Sequence, residues 1–170
     1  MLVRWFVASS VALVTASCAE AFLAGNPAAV EGRGEYAGSS VLYVDNAIRS
    51  ACDIDSPSAL FGTDRTTVTD EGRKGLKDLA ECVNSGGLAG YSLAIHGFAD
   101  PRGSDGYNEA LAQRRAEAVA AVLTENGVNG RRLKIISHGE DEARGEGVRG
   151  YAFDRRVQIE LLDRHEVSQD

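Results

Sequence analysis

The stretch Tyr91-Ser92-Leu93-Ala94-Ile95-His96-Gly97-Phe98-Ala99-Asp100-Pro101-Arg102-Gly103-Ser104-Asp105-Gly106-Tyr107-Asn108-Glu109-Ala110-Leu111-Ala112-Gln113-Arg114-Arg115-Ala116 changes its hydrophobic period midway. In its first part Tyr91, Leu93 and Ile95 alternate with Ser92, Ala94 and His96, the period-two pattern of a strand with one buried face. Beyond it Leu111, Arg115, Ala118, Val119, Val122 and Leu123 recur at helical spacing. The polar, Gly-rich residues between are therefore a strand-to-helix connection that carries charge. Ser104 or Asp105 can cap the helix, whose first turn presents backbone N–H groups and the positive end of a dipole. That is a ready site for a carboxylate. With Asp100 at the strand exit, Asn108 in the first helical turn and Arg115 further along, the connection makes a candidate pocket for a zwitterion. The same spacing also allows a purely structural ion pair of Asp100 with Arg115, pinning loop to helix.

Working outward, Gly127 ends the helix and Arg132 to Ser137 supplies a further strand. A strand-helix-strand unit of this length predicts a right-handed crossover between parallel strands. Upstream, Ser58 to Phe61 reads as a short strand. Asp70 caps a helix whose Leu76, Leu79, Ala80 and Val83 form one apolar face, stopped by Asn84-Ser85-Gly86-Gly87. Downstream, Glu140 to Gly150 reads as a surface loop, and Val157, Ile159 and Leu161 alternate with Gln158, Glu160 and Leu162 in a last strand. The predicted order is β-α-β-α-β-β. This is an α/β chain of the α+β kind, with a mixed sheet covered by helices on one face.

At 170 residues the chain suits one domain with a tail. Its formal charge is -7, from 18 basic and 25 acidic side chains. Such a surface repels phosphate backbones and anionic membranes, which argues against nucleic-acid binding. Gly145-Glu146-Gly147-Val148-Arg149-Gly150 has the letters of a dinucleotide fingerprint but is expected to lead into a strand rather than a helix, so a loop is the reading. His96 and His138 lack the short-spaced partners of a zinc site, and Ser137-His138 lacks a nucleophile elbow. No cofactor, metal or catalytic set is expected, and the chain reads as a binding protein.

Gly-aromatic-Ala-Asp at Gly97–Asp100, then Arg102-Gly103, Asn108, Leu111 and Arg114-Arg115-Ala116 resemble the peptidoglycan-binding signature of the OmpA-like family, most nearly its lipoprotein branch. The likeness continues through Ala59-Leu60-Phe61-Gly62, Ile136-Ser137-His138-Gly139-Glu140 and Tyr151-Ala152-Phe153-Asp154-Arg155-Arg156, covering roughly residues 57 to 163. It implies the family's two-layer sandwich and a site for the diaminopimelate of the peptidoglycan stem peptide. Asp100 would face the ammonium and Arg115 the carboxylate. Asn108 would bond the peptide, Leu111 would form an apolar wall, and Gly103 would set the backbone. Phe98 stands where the lipoproteins carry His, Asp154 stands where Asn is usual, and Arg155-Arg156 match a terminal Arg pair, with Arg156 taken as the ligand contact. Tol-system partners in the periplasm are implied in the same way.

Ahead of the domain, Arg4 precedes an apolar run from Trp5 to Val14, the layout of an export signal over residues 1–17 and too short for a membrane span. Thr15-Ala16-Ser17-Cys18 resembles a lipobox with Cys18 as the acylated residue, while Ala19-Glu20-Ala21 fits ordinary cleavage. The resemblance favours the lipid and an outer-membrane anchor facing the periplasm; the alternative is a soluble periplasmic protein. Residues 18–56 read as a tether, within which Val41 to Cys52 is either helix or strand, and 164–170 as a tail. Either cleavage leaves Cys52 and Cys82 as an even pair in an oxidising compartment. They are expected to bond, or else to stand as two buried thiols.

Overall fold

Among the described residues five strands, β1 (Ser40–Val44), β2 (Ala59–Phe61), β3 (Ser92–Gly97), β4 (Leu133–Ser137) and β5 (Arg156–Leu162), pair in the order β2-β1-β5-β3-β4. The structure, a computed structural model, describes residues 40–54, 59–62 and 65–162, which fall within one compact unit, Gly32–Asp170. The expected export segment, Cys18 and the tail 164–170 lie outside the described residues. The sheet is mixed: β1 runs antiparallel to β2 and parallel to β5, while β3 runs antiparallel to β5 and parallel to β4. The parallel β3–β4 pair is joined through the long helix, as the strand-helix-strand spacing requires.

Register explains the core. Leu93 faces Leu161, Ile95 faces Ile159 and Gly97 faces Val157 across β3 and β5, so one parity of both strands lies on the helix side. There Leu93, Ile95, Val157 and Ile159 join Leu42 and Leu60 beneath the helices α1 (Asn46–Cys52), α2 (Asp70–Ser85) and α3 (Asp105–Glu125). Ile48, Leu76, Leu79, Val83, Val119 and Leu123 fill the other half of that layer. Burying each of these side chains contributes about 1.5–3 kcal/mol before entropy is counted. Gly97 lets α3 come close: a Cβ there would lie 2.1 Å from the Ala112 carbonyl oxygen.

Several expectations are corrected. The tether expected to run to residue 56 gives way at Ser40, because β1 inserts between β2 and β5 and buries Val41 and Leu42. Val41 to Cys52 is thus strand and then helix, and the order gains β1 and α1 at the front. The loop expected over Glu140 to Gly150 ends early, since α4 spans Gly147–Asp154. The Gly145–Gly150 segment therefore does enter a helix, yet it makes no dinucleotide turn. The strand after α4 runs antiparallel to β3, and the backbones of Gly145 and Gly150 pack against each other. The cap of α2 is Thr69, whose hydroxyl accepts from Gly72 N–H, not Asp70. The expected bond between Cys52 and Cys82 is present, with Cα atoms 5.6 Å apart, and it links the end of α1 to α2.

Candidate functional site

Strand pairing carries on past the end of β3, and this positions the charged connection. Phe98 N–H donates to the Arg156 carbonyl (3.0 Å) on the β5 side, and Ala99 N–H to the Gly139 carbonyl (2.7 Å) on the β4 side. His138 N–H donates back to the Gly97 carbonyl at 3.0 Å. Asp100 therefore leaves the sheet from a backbone held on both sides. The exit of β4 is fastened in turn to α3, with Ser137 Oγ donating to the Glu109 carbonyl at 3.0 Å.

Asp100 is buried, and its carboxylate collects four hydrogen bonds. Oδ1 accepts from the Arg102 backbone N–H (3.2 Å) and from Arg102 Nε (3.0 Å); Oδ2 accepts from Arg102 Nη2 (2.7 Å) and Arg155 Nη1 (2.8 Å). Burial by itself would push this carboxyl up. The hydrogen bonds from Arg102 and Arg155 outweigh it and hold the carboxyl at about 2. It is ionised at any physiological pH. The two guanidiniums differ: the Arg155 side chain is 7% exposed and that of Arg102 59%, the latter lying 5.2 Å from the Tyr151 ring centroid.

Helix α3 presents the next group. Its buried stripe runs Asn108, Leu111, Ala112, Arg115, Ala116, Val119, so an amide and a guanidinium occupy positions that the helical period reserves for apolar residues. Asn108 Nδ2 donates to Glu140 Oε2 in a short contact. Gly103, at φ 129°, keeps the connection close to that amide, since a Cβ there would sit 3.1 Å from Asn108 Oδ1. Leu111 is buried. Arg115 is 1% exposed; its Nε donates to the Arg65 carbonyl at 3.4 Å and its guanidinium lies 5.7 Å from the Phe61 ring centroid. The helix N-cap is Ser104, without a side-chain cap bond, and the acidic residues Asp105 and Glu109 occupy the first turns.

Phe98 and Arg156 gather elsewhere. The Arg156 guanidinium stands 3.7 Å from the Phe98 ring centroid and pairs with Glu142 (3.1 Å). Phe98 stacks on His138 at 4.5 Å. His96 Nδ1 and His138 Nε2 meet at 2.9 Å, one donating and the other accepting, and Glu160 lies 3.2 Å from His96 Nε2. Burial lowers the His96 pKa, the nearby His138 lowers it further, and Glu160 opposes both. Burial likewise pulls the Arg156 guanidinium down, against Glu142.

The Asp100 partners Arg102 and Arg155 were missed by sequence reasoning, which chose Arg115 and Arg156. Parity held the signal. Arg155, the residue just before β5, continues the parity of Val157 and Ile159, whereas Arg156 opens the strand with the opposite parity. Asp154, which stands where the family usually has Asn, accepts from the N–H groups of Arg144 and Gly145 and closes the turn before α4.

The sequence profile of the OmpA family matches residues 60–147, about half the chain. The peptidoglycan-associated lipoprotein of Pseudomonas putida is 30% identical over 139 residues, covering 80% of this chain and 81% of its own length. Outer membrane porin F of Pseudomonas aeruginosa is 34% identical over 104 residues, which is 59% of this chain but 29% of the porin. The chain also spans under half the length of several further lipoproteins that it matches. Among solved structures, the peptidoglycan-associated lipoprotein of Burkholderia pseudomallei superposes with a TM-score of 0.56 at 30% identity, covering 61% of this chain and 87% of that one.

Proposed function

The chain belongs to the OmpA family, and from that premise we propose that it binds peptidoglycan through the free zwitterionic end of the diaminopimelate in the stem peptide. In this reading the Asp100 carboxylate receives the ammonium, Arg115 and the start of α3 serve the carboxylate, and Asn108 bonds the peptide. Leu111 walls the pocket. The observation that carries the reading is Asp100 itself, a buried carboxylate kept ionised in the connection between β3 and α3. An ionised acceptor in a partly desolvated setting recognises an ammonium more strongly than one in water. In the same reading acylation at Cys18 anchors the chain in the outer membrane, binding to the wall ties the two layers together, and Tol-system proteins are the periplasmic partners; the relatives named as peptidoglycan-associated lipoproteins support its lipid and wall parts. Many weak contacts on one polymer then act jointly through effective concentration.

A second reading has its own observation. Asp100 already bonds two arginines of its own chain, which suits a scaffold whose charged cluster only holds the loop, in a module that docks other envelope proteins. Sedimentation of the folded domain with purified diaminopimelate-type peptidoglycan separates the two. The wall reading expects wild type to pellet with the polymer and Asp100→Asn, checked by circular dichroism, to stay in the supernatant. Equal behaviour of the two proteins favours the scaffold. Intact-mass measurement of protein extracted from membranes decides whether Cys18 carries acyl chains.

A further inference from the structure

The four hydrogen bonds at Asp100 occupy two acceptor sites on each carboxylate oxygen, which is the full capacity of the group. An incoming ammonium therefore has to take the place of a donor already there. The two guanidiniums are unequal candidates. Arg155 is almost wholly enclosed and caps the end of α4 just before β5, 55 residues away, so it has little room to move. Arg102 lies two residues from Asp100 and has a side chain that is more than half exposed, and it supplies two of the four bonds, Nε to Oδ1 and Nη2 to Oδ2. Its backbone N–H holds Oδ1 independently of the side chain. The Arg102 guanidinium can thus swing into water while the Arg102 backbone N–H and Arg155 go on holding the carboxylate.

Resting on the peptidoglycan reading above, we infer that Arg102 is an internal competitor: its guanidinium occupies the cation seat of Asp100 in the unliganded protein and is displaced by the ligand's ammonium. The Tyr151 ring, 5.2 Å from the guanidinium carbon, is the platform that holds the competitor in place. Two consequences follow. Affinity is reduced by the fraction of molecules in which the seat is taken, since apparent binding scales with the competent population. Selectivity rises, because only a cation that can replace two charge-assisted hydrogen bonds opens the seat, whereas a neutral amide gains nothing there.

The test uses the domain as purified, wild type beside Arg102→Gln, Arg102→Lys and Tyr151→Leu, each checked by circular dichroism to be folded. Binding is titrated against diaminopimelate-type peptidoglycan, untreated or with its free amines acetylated. Arg102 is the exposed member of its pair with Asp100, so its hold is modest and removing it should tighten binding to untreated wall on the order of five-fold in Arg102→Gln. Arg102→Lys and Tyr151→Leu should fall between that variant and wild type, and acetylated wall should bind poorly to all four proteins. Unchanged or weaker binding by Arg102→Gln, with wild type still binding, overturns the competitor alone and makes Arg102 a bystander or a ligand contact. Failure of wild type and Arg102→Gln alike to bind untreated wall overturns the peptidoglycan reading and the competitor with it.

Discussion

Replacing Asp100 by Asn keeps the shape of the side chain and removes its charge, which isolates what the ionised carboxylate contributes. The carboxyl is held at about 2 in the folded chain against an ordinary value of 3.8. Each pH unit of displacement is about 1.4 kcal/mol, so the ionised form should stabilise the fold by about 2 kcal/mol. The sign follows from linkage. With the folded value depressed, the unfolded chain binds the extra proton, so the contribution is complete above the unfolded value near 4 and is lost as pH falls through about 2. Urea unfolding read by far-UV circular dichroism is the assay, because the only tryptophan, Trp5, precedes the domain. At pH 7 and at pH 5 the variant should unfold about 1–2 M urea earlier than wild type, by the same amount at both. Between pH 4 and 2 the gap should close as wild type takes up its proton. Added salt should change it little, since the cluster is largely buried. A gap of the same size at pH 2.5 as at pH 7 would refute the argument, because it would mean that the lost amide geometry, not the lost charge, is responsible. Asp100→Ala should cost more, about 3–5 kcal/mol, since it leaves the enclosed Arg155 guanidinium without its carboxylate. For that reason Asn rather than Ala is the substitution for binding assays.

Gly97→Ala should destabilise the fold by about 3 kcal/mol, because the new Cβ meets the Ala112 carbonyl oxygen at 2.1 Å and α3 has to lift off β3; a urea midpoint within experimental error of wild type would contradict this. Breaking the Cys52–Cys82 bond by Ser substitution at both positions releases a loop closed over a separation of 30 residues, a loss of about 3–4 kcal/mol on the chain-entropy estimate. Differential scanning calorimetry should then show a midpoint lower by roughly 10–15 °C. His96, whose pKa is lowered by burial and by His138, should titrate below the ordinary histidine range in NMR spectra. The unfolded chain binds that proton more readily, so the fold should gain stability as pH rises through the interval between the folded value and about 6.5 and lose it on acidification. His96→Gln should flatten this part of the pH profile, and an unchanged slope would assign it to other groups.

Local order in the chain was legible wherever it rests on short-range physics. The period-two run at Tyr91–His96 and the helical run after Asp105 became β3 and α3 with the expected limits, since the periodicity of apolar groups and the Gly-rich break between them act over a few residues. The same helical run marked Arg115 as a polar residue on an apolar stripe, whereas Asn108 was named only for its place in the first turn, and its burial emerged with the structure. Other boundaries were not legible. Val41 and Leu42 do not alternate with polar neighbours because successive residues of β1, which point to opposite faces, are both buried, and α4 is a two-turn helix among glycines, too short for a helical period to emerge.

By itself the sequence determined the two-layer α+β plan, the strand-to-helix turn that carries Asp100, and the even cysteine pair. The tertiary structure alone decided which groups meet. Arg155 reaches Asp100 across 55 residues and His138 reaches His96 across 42, contacts that exist because β5 and β4 flank β3 in the sheet. Hydrophobic period records which side of an element is buried, but it is silent on which strand lies next to which. The partners of a buried charge depend on that second choice, which is settled only when the whole core closes.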